Sequence, residues 1–303
     1  MRVNAIGMVC LAVAACGGRD AAAQADVFGN WAPLYHEDFP ERIPGPELGD
    51  YMGIPINDAA RLRGDSYDAD RISVVTEYQC RPHGADYSMR GLANMRVDEI
   101  RDPETQRTVA IHLRMNFQDM ERTIWMDGRA HPSDLAPHTF HGFSTGTWQD
   151  NMLSVYTTHL KESYLRRNGL PRSDKATFTE HWMRHGNYLT VTTVITDPVF
   201  LTEPMVRSQT WQFDPGQRLS TDICEYVPEI PLKEGTVPSH LPDTNPYLHE
   251  VANWYGLPYA GTRGGAETLY PEYRSKMGKP ESAPPACTRY CKCGQDGGAC
   301  NLR

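Results

Sequence analysis

The chain has 303 residues, 40% hydrophobic and 22% charged. That balance allows one large domain or two small ones and excludes a collagen-like or wholly disordered chain. The formal charge is −8, from 30 Lys and Arg against 38 Asp and Glu, which argues against a dedicated nucleic-acid binder with its basic face.

Residues 1–25 read as an export signal. Arg2 supplies a minimal positive region, and the apolar core from Ala5 to Ala15 is too short to span a bilayer. Two cleavage readings stand. Val13-Ala14-Ala15-Cys16 fits a lipobox, which predicts lipidation of Cys16; Ala23-Gln24-Ala25 is an A-x-A site for ordinary signal peptidase. Gly17-Gly18-Arg19-Asp20 ends the apolar core early, which favours the lipobox. The expectation is an exported protein, periplasmic or anchored to the outer membrane, touching the membrane through acyl chains only.

Export makes disulfides possible. Of the eight cysteines, six lie beyond the signal: Cys80, Cys224, Cys287, Cys291, Cys293 and Cys300. Residues 26–71 are broken by Pro40, Pro44, Pro46 and Pro55 and read as an irregular wrapping arm, with one short helix near Asn57–Arg63.

Residues 72–280 form the expected β domain. Val109 to Phe117 alternates apolar and polar residues, the period of two of a half-buried strand. Asn151–Leu160 puts Leu153, Val155, Thr157 and His159 on one face, and Tyr188–Thr196 does the same with Leu189, Val191, Thr193 and Ile195. Turn signals at Asp102-Pro103, Asp127-Gly128, Asp150-Asn151, Gly186-Asn187 and Pro215-Gly216 separate the runs. About eight to ten strands with no room for crossover helices predict a mainly β fold, an antiparallel meander barrel of lipocalin type, with a β-sandwich as the alternative. Cys80 would end the first strand and Cys224 lie in the last. Those strands are neighbours in such a barrel, so a Cys80–Cys224 disulfide is expected to seal it. Looser texture returns after Val227, with a short helix around Tyr247–Tyr255.

Residues 281–303 form a separate Cys-rich tail with almost no apolar content. Cys287, Cys291, Cys293 and Cys300 are expected to form two disulfides or to hold a soft metal through four thiolates.

Several motifs recur together. They are Trp125-Met126-Asp127-Gly128-Arg129-x-His131-Pro132, Gly142-Phe143-Ser144-Thr145-Gly146-x-Trp148, Thr157-Thr158-His159-Leu160-Lys161, Arg167-Asn168-Gly169 and Thr179-Glu180-His181. This order resembles a large group of exported, β-rich bacterial proteins to which no function is assigned. The resemblance spans roughly residues 30–275. It implies an exported single domain rich in β-structure and no particular activity, and the Cys-rich tail lies outside it.

Gly142-Phe143-Ser144-Thr145-Gly146 also fits G-x-S-x-G. A nucleophile elbow needs strand, sharp turn and helix, whereas another strand follows here. A strand with close-packed glycines is expected instead. Thr179-Glu180-His181 with His185 is not a zincin motif, because its order is wrong.

The candidate chemistry lies in the histidines. His138, His141, His159 and His181 would meet on adjacent hairpins if His159 points into the barrel, and neutral imidazoles there would suit a transition metal such as zinc, copper or iron. His159 and His181 are the candidate catalytic residues. Glu180 alternates to the face opposite His181. Lys161, Arg166, Arg167, Arg172 and Lys175 form a basic loop. Arg166 and Arg167 would steer the anionic end of a small-molecule ligand, while Trp125, Trp148 and Tyr156, with Trp182 and Trp211, would line a cavity.

Three functions follow as expectations. The first is an exported module binding a small hydrophobic or amphipathic molecule inside the barrel. The second is a periplasmic enzyme using an inward His cluster, with or without a metal. The third is a surface lipoprotein that engages another envelope protein through its arm and tail.

Overall fold

The computed structural model describes residues 25–35, 47–90, 93–116, 120–220 and 224–279. Cleavage of the signal, lipidation of Cys16 and the fate of the four tail cysteines lie outside the described residues.

In chain order the elements are β1 (Gly29–Pro33), α1 (Asp58–Asp65), α2 (Ala85–Ser88), β2 (Met95–Arg101), β3 (Thr108–Met115), β4 (Met120–Trp125), β5 (Phe143–Gln149) and β6 (Met152–Thr158). There follow β7 (Ser163–Tyr164), β8 (Pro171–Arg172), β9 (Thr177–His185), β10 (Tyr188–Thr196), β11 (Met205–Phe213), α3 (Glu250–Tyr255), α4 (Tyr259–Thr262) and α5 (Pro271–Lys276). No helix among the described residues is long and apolar enough to cross a membrane.

Nine strands close a barrel in the order β1-β11-β10-β9-β6-β5-β4-β3-β2, and β7 and β8 form a separate hairpin. Alternation produces it. Leu153, Val155 and Thr157 of β6, Phe178, Glu180 and Trp182 of β9, and Leu189, Val191, Thr193 and Ile195 of β10 are all buried. Fully buried Trp31, Trp182 and Trp211 pack with Ile111, Leu113 and Leu153 along the axis. The barrel is therefore filled by side chains, as its strand number permits.

Two departures from a simple meander shape the rest. Strands β4 and β5 are parallel, with Ile124 opposite Ser144 and Trp125 opposite Thr145. The signal at Asp127-Gly128 is thus not a hairpin. Residues 126–142 must return the chain to the starting end of β4, because a parallel pair cannot be joined by a tight turn. The closing strand β1 comes from the arm, with Trp31 opposite both Phe213 of β11 and Met95 of β2. Between Ile72 and Ala93 no described residue belongs to a barrel strand.

Cys80 and Cys224 are bonded, with Cα atoms 5.7 Å apart. Neither lies in a strand. Cys80 ends a 3-10 turn, Thr76–Gln79, and Cys224 lies beyond β11. The bond ties the chain leaving the barrel to the chain entering it, instead of joining two barrel strands.

At one end of the barrel a second core covers the mouth. Tyr51, Ile54, Ile56, Ala85, Leu165 and Leu170 pack on Phe178, Ile195 and Met205. Helix α1 belongs to this cap. Its N-cap Asn57 accepts from the Ala60 N–H at 3.0 Å. Hairpin β7–β8 and helix α2 complete the cap.

Candidate functional site

The His cluster does not assemble. His181 lies on the outer face of β9, its Nδ1 3.2 Å from Ser154 Oγ, while Glu180 is buried between Phe178 and Trp182. His159 follows the end of β6 with φ +57°. Its Nε2 donates to the Ser133 carbonyl at 2.9 Å, so in the neutral ring Nδ1 accepts from Thr158 Oγ1 at 2.7 Å. That hydroxyl oxygen accepts in turn from His131 Nδ1 at 2.7 Å, and Thr145 Oγ1 donates to His131 Nε2 at 2.9 Å. Both nitrogens of both rings are occupied in pinning the 126–142 connection to the outside of β5 and β6. His138 stacks edge-on to His159 at 5.3 Å and bonds the Leu160 carbonyl through Nδ1 at 2.9 Å. His141 sits apart, against Arg122 and the main chain of Glu121 and His83. No group of three or more potential metal ligands occurs among the described residues.

The aromatic candidates disperse too. Tyr156 is out of phase with Leu153, Val155 and Thr157, so it faces solvent and is 43% exposed. Trp125 alternates outward beside buried Ile124, and the Arg129 guanidinium lies 3.4 Å from its ring centre. Trp148 packs on the apolar core at the uncapped end. Ser144 of the G-x-S-x-G stretch is an inward strand residue, fully engaged in hydrogen bonds to Arg122 and Thr157 at 2.9 Å each.

What the fold does assemble, beneath the cap, is a buried cluster of arginines. Arg122 of β4 donates through Nε to Ser144 Oγ at 2.9 Å, and through Nη2 to Thr157 Oγ1 at 2.7 Å and Glu180 Oε2 at 2.5 Å. Both members of that ion pair are 1% exposed. Arg207 of β11 lies opposite Thr193, which itself pairs with Glu180. It donates to the main-chain oxygen of Asp86 in α2. Arg172 of β8 is fully buried, 3.3 Å from the Asp86 carboxylate, and donates to the Ser173 carbonyl at 2.9 Å. Ser173 is in turn fixed by Asp197, through its N–H at 2.7 Å and its hydroxyl at 2.6 Å. Arg90 and Arg166 complete the set, both acting on Arg207.

Burial dominates the electrostatics. It pushes the Arg207 guanidinium down, to about 9, with Asp86 opposing the shift and Arg90 and Arg166 reinforcing it; the group stays cationic at neutral pH. Arg90 is lowered by burial as well. Burial first, and then Arg122, push His141 down to about 4.

One pocket, of about 110 Å³, shares Arg166 with this cluster. Tyr67, Tyr78, Tyr87 and Tyr164 line it with Arg166 and Arg167. Tyr67 and Tyr164 meet edge-on at 5.2 Å. Tyr87 is stacked on His83 at 4.1 Å and carries the Arg90 guanidinium 4.7 Å from its ring centre. Glu77 is also on the wall, 3.3 Å from His83 Nε2. Burial raises its carboxyl, but the hydrogen bond and charge of His83 outweigh that and hold it at about 2. Gly169 makes the wall possible. Its φ is +82°, and a Cβ there would lie 2.3 Å from Tyr67.

A wider groove of about 490 Å³ runs past Arg96, Arg114 and Arg218. It borders segments outside the described residues and receives none of the buried charges.

Of the sequence-derived ligand residues, then, Arg166 and Arg167 meet at one site, and Trp125, Trp148 and Tyr156 do not reach it. Comparison with protein families, curated proteins and solved structures finds no match.

Proposed function

We propose that this protein is an exported binding module for a small amphipathic molecule, held at the tyrosine pocket under the cap. The supporting observation is the pocket itself: four tyrosines converge with Arg166 and Arg167 on one concavity. Rigid aromatic side chains give contact area at low entropic cost, and arginines orient an acidic end, the usual composition of a small-molecule site. The axis of the barrel, where a lipocalin holds its ligand, is occupied here by Trp31, Trp182 and Trp211.

Titration calorimetry with 2-naphthoate and dodecanoate tests this reading. Saturable binding is expected, abolished by Tyr164→Ala and unaffected by Tyr156→Ala on the outer face. No saturable binding of either probe, or equal binding by the Tyr164 variant, overturns it.

Export is supported by the signal-like residues 1–25 and by the Cys80–Cys224 disulfide, a bond that persists in oxidising compartments. Cys16→Ser is expected to move the protein from the membrane fraction to the soluble one; unchanged fractionation counts against the lipid anchor.

A further inference from the structure

The walls of the tyrosine pocket carry charge of both signs. Glu77 comes from the 3-10 turn Thr76–Gln79 and Arg167 from the loop between β7 and β8, and both line the pocket. The Glu77 carboxyl, held at about 2, is ionised at neutral pH. Its Oε1 lies 3.3 Å from His83 Nε2, and its Oε2 accepts from the Thr76 hydroxyl at 3.1 Å. A carboxylate offers about four lone-pair sites, so these two contacts leave acceptor capacity unused. His83 stands on the protein side of the pair. Its side chain is 4% exposed against 28% for Glu77, and its ring is stacked on Tyr87. Among the described residues Glu77 pairs with His83 and not with Arg167. Burial pushes the Tyr67 and Tyr87 phenols up; beyond burial Glu77 pushes them further and Arg167 opposes it, so both charges stand near the same two rings.

We propose that the pocket selects a zwitterion, an amino acid or similar aminocarboxylate with an apolar body, its ammonium group at Glu77 and its carboxylate at Arg167. A ligand with an acidic end alone would cover an ionised carboxylate and leave it uncompensated. An ammonium group supplies the counter-charge and three donors. The tyrosine walls act in the same direction, because an aromatic face attracts a cation; Tyr87 already carries the Arg90 guanidinium in this way. The size agrees. The pocket's volume of about 110 Å³ is the space of roughly four waters, room for an amino-acid head group. The apolar body then lies at the mouth, beside Tyr78, which is 47% exposed. This inference rests on the pocket being the ligand site and narrows the class of ligand, with Glu77 as the residue that sets specificity.

The experiment is titration calorimetry on the full chain at pH 7 and constant ionic strength, with phenylalanine, 3-phenylpropionate, which lacks the amine, and 2-phenylethylamine, which lacks the acid. Phenylalanine is expected to bind once per chain, about tenfold more tightly than 3-phenylpropionate, the worth of one charged hydrogen-bonding group. Glu77→Gln is expected to abolish that preference by weakening phenylalanine about tenfold while 3-phenylpropionate binds as well as before or better. Arg167→Gln is expected to weaken phenylalanine and 3-phenylpropionate and to spare 2-phenylethylamine. A merely structural role for Glu77 would weaken all three ligands together. The preference is a ratio read on one protein, so it stays readable even where a variant folds poorly. Absence of phenylalanine binding, 3-phenylpropionate binding as tightly as phenylalanine to the parent chain, or an equal loss of both in Glu77→Gln overturns the proposal. Binding of 3-phenylpropionate or naphthoate without a preference for phenylalanine leaves the pocket standing and removes the zwitterion; no binding of any of these probes removes both.

Discussion

Glu180 and His181 are neighbours with opposite fates. Glu180 shares the inward phase of Phe178 and Trp182, so it is taken out of water and must be paired; Arg122 meets it at 2.5 Å. Breaking a buried pair from one side leaves a stranded charge. Glu180→Gln is therefore expected to lower unfolding free energy by about 3–5 kcal/mol, and the apolar double variant Arg122→Met with Glu180→Leu by less. Urea denaturation of the three proteins checks the order; a double variant weaker than the single one would contradict it. His141 makes a prediction about pH. The fold holds its pKa at about 4 against an ordinary 6.5, because of burial and then Arg122. The unfolded chain therefore takes up this proton first as pH falls. The stability that neutral His141 contributes is present above about pH 6.5, is lost progressively down to about pH 4, and falls no further below that. At about 1.4 kcal/mol per unit the loss is on the order of 3 kcal/mol. His131, lowered by burial and by His159, acts in the same direction. Stability measured from pH 8 to 4 is expected to decline less in His141→Gln than in the parent chain, and equal declines would remove the assignment.

At the scale of elements, the cap depends on chain that passes over it twice. After β11 the chain runs back across residues 66–80. Val227 N–H donates to the Tyr78 carbonyl at 2.8 Å, and His240 N–H to the Ser66 carbonyl at 2.9 Å. Asn245 Nδ2 donates to the Asp65 carbonyl at 2.8 Å. Cys80–Cys224 closes a loop across 144 residues of sequence, so it restricts the unfolded chain strongly. Cys80→Ser is expected to cost about 2–5 kcal/mol of stability. Thermal unfolding with and without reductant checks this: the reductant should lower the parent's midpoint and leave the variant's unchanged. Because Tyr78 lies on the strapped segment and lines the pocket, the same bond helps hold the wall of the ligand site.

For the whole molecule, local pattern was enough for the class of fold. Period-two alternation in β3, β6 and β10 marks barrel strands wherever the chain lies, because the side-chain period of a strand is a local property. The Asn57 cap and the turn residues at Asp150-Asn151 and Gly186-Asn187 are local for the same reason. The arginine cluster also left a trace that can be read in retrospect: Arg122 is in phase with Met120 and Ile124, Glu180 with Phe178 and Trp182, and Arg207 with Met205 and Trp211. A charge in step with an apolar face has to be paired inside. Its partner is not encoded nearby. Asp86 comes from a helix of a single turn with no periodicity to announce it, Arg90 from the chain just after that helix, and Arg166 and Arg172 from a hairpin of two-residue strands. The His cluster is undone at two points: the positive φ that turns His159 off its strand, which no local rule covers, and the outward phase of His181, which alternation with inward Phe178, Glu180 and Trp182 dictates. The closing strand was equally hidden. Gly29–Pro33 is short and bounded by proline, and it becomes a strand because β11 and β2 leave an open edge between them. Alternation decides which face a residue occupies; which residues meet across the barrel depends on pairing between segments far apart in the chain, and that is settled only when the sheet closes.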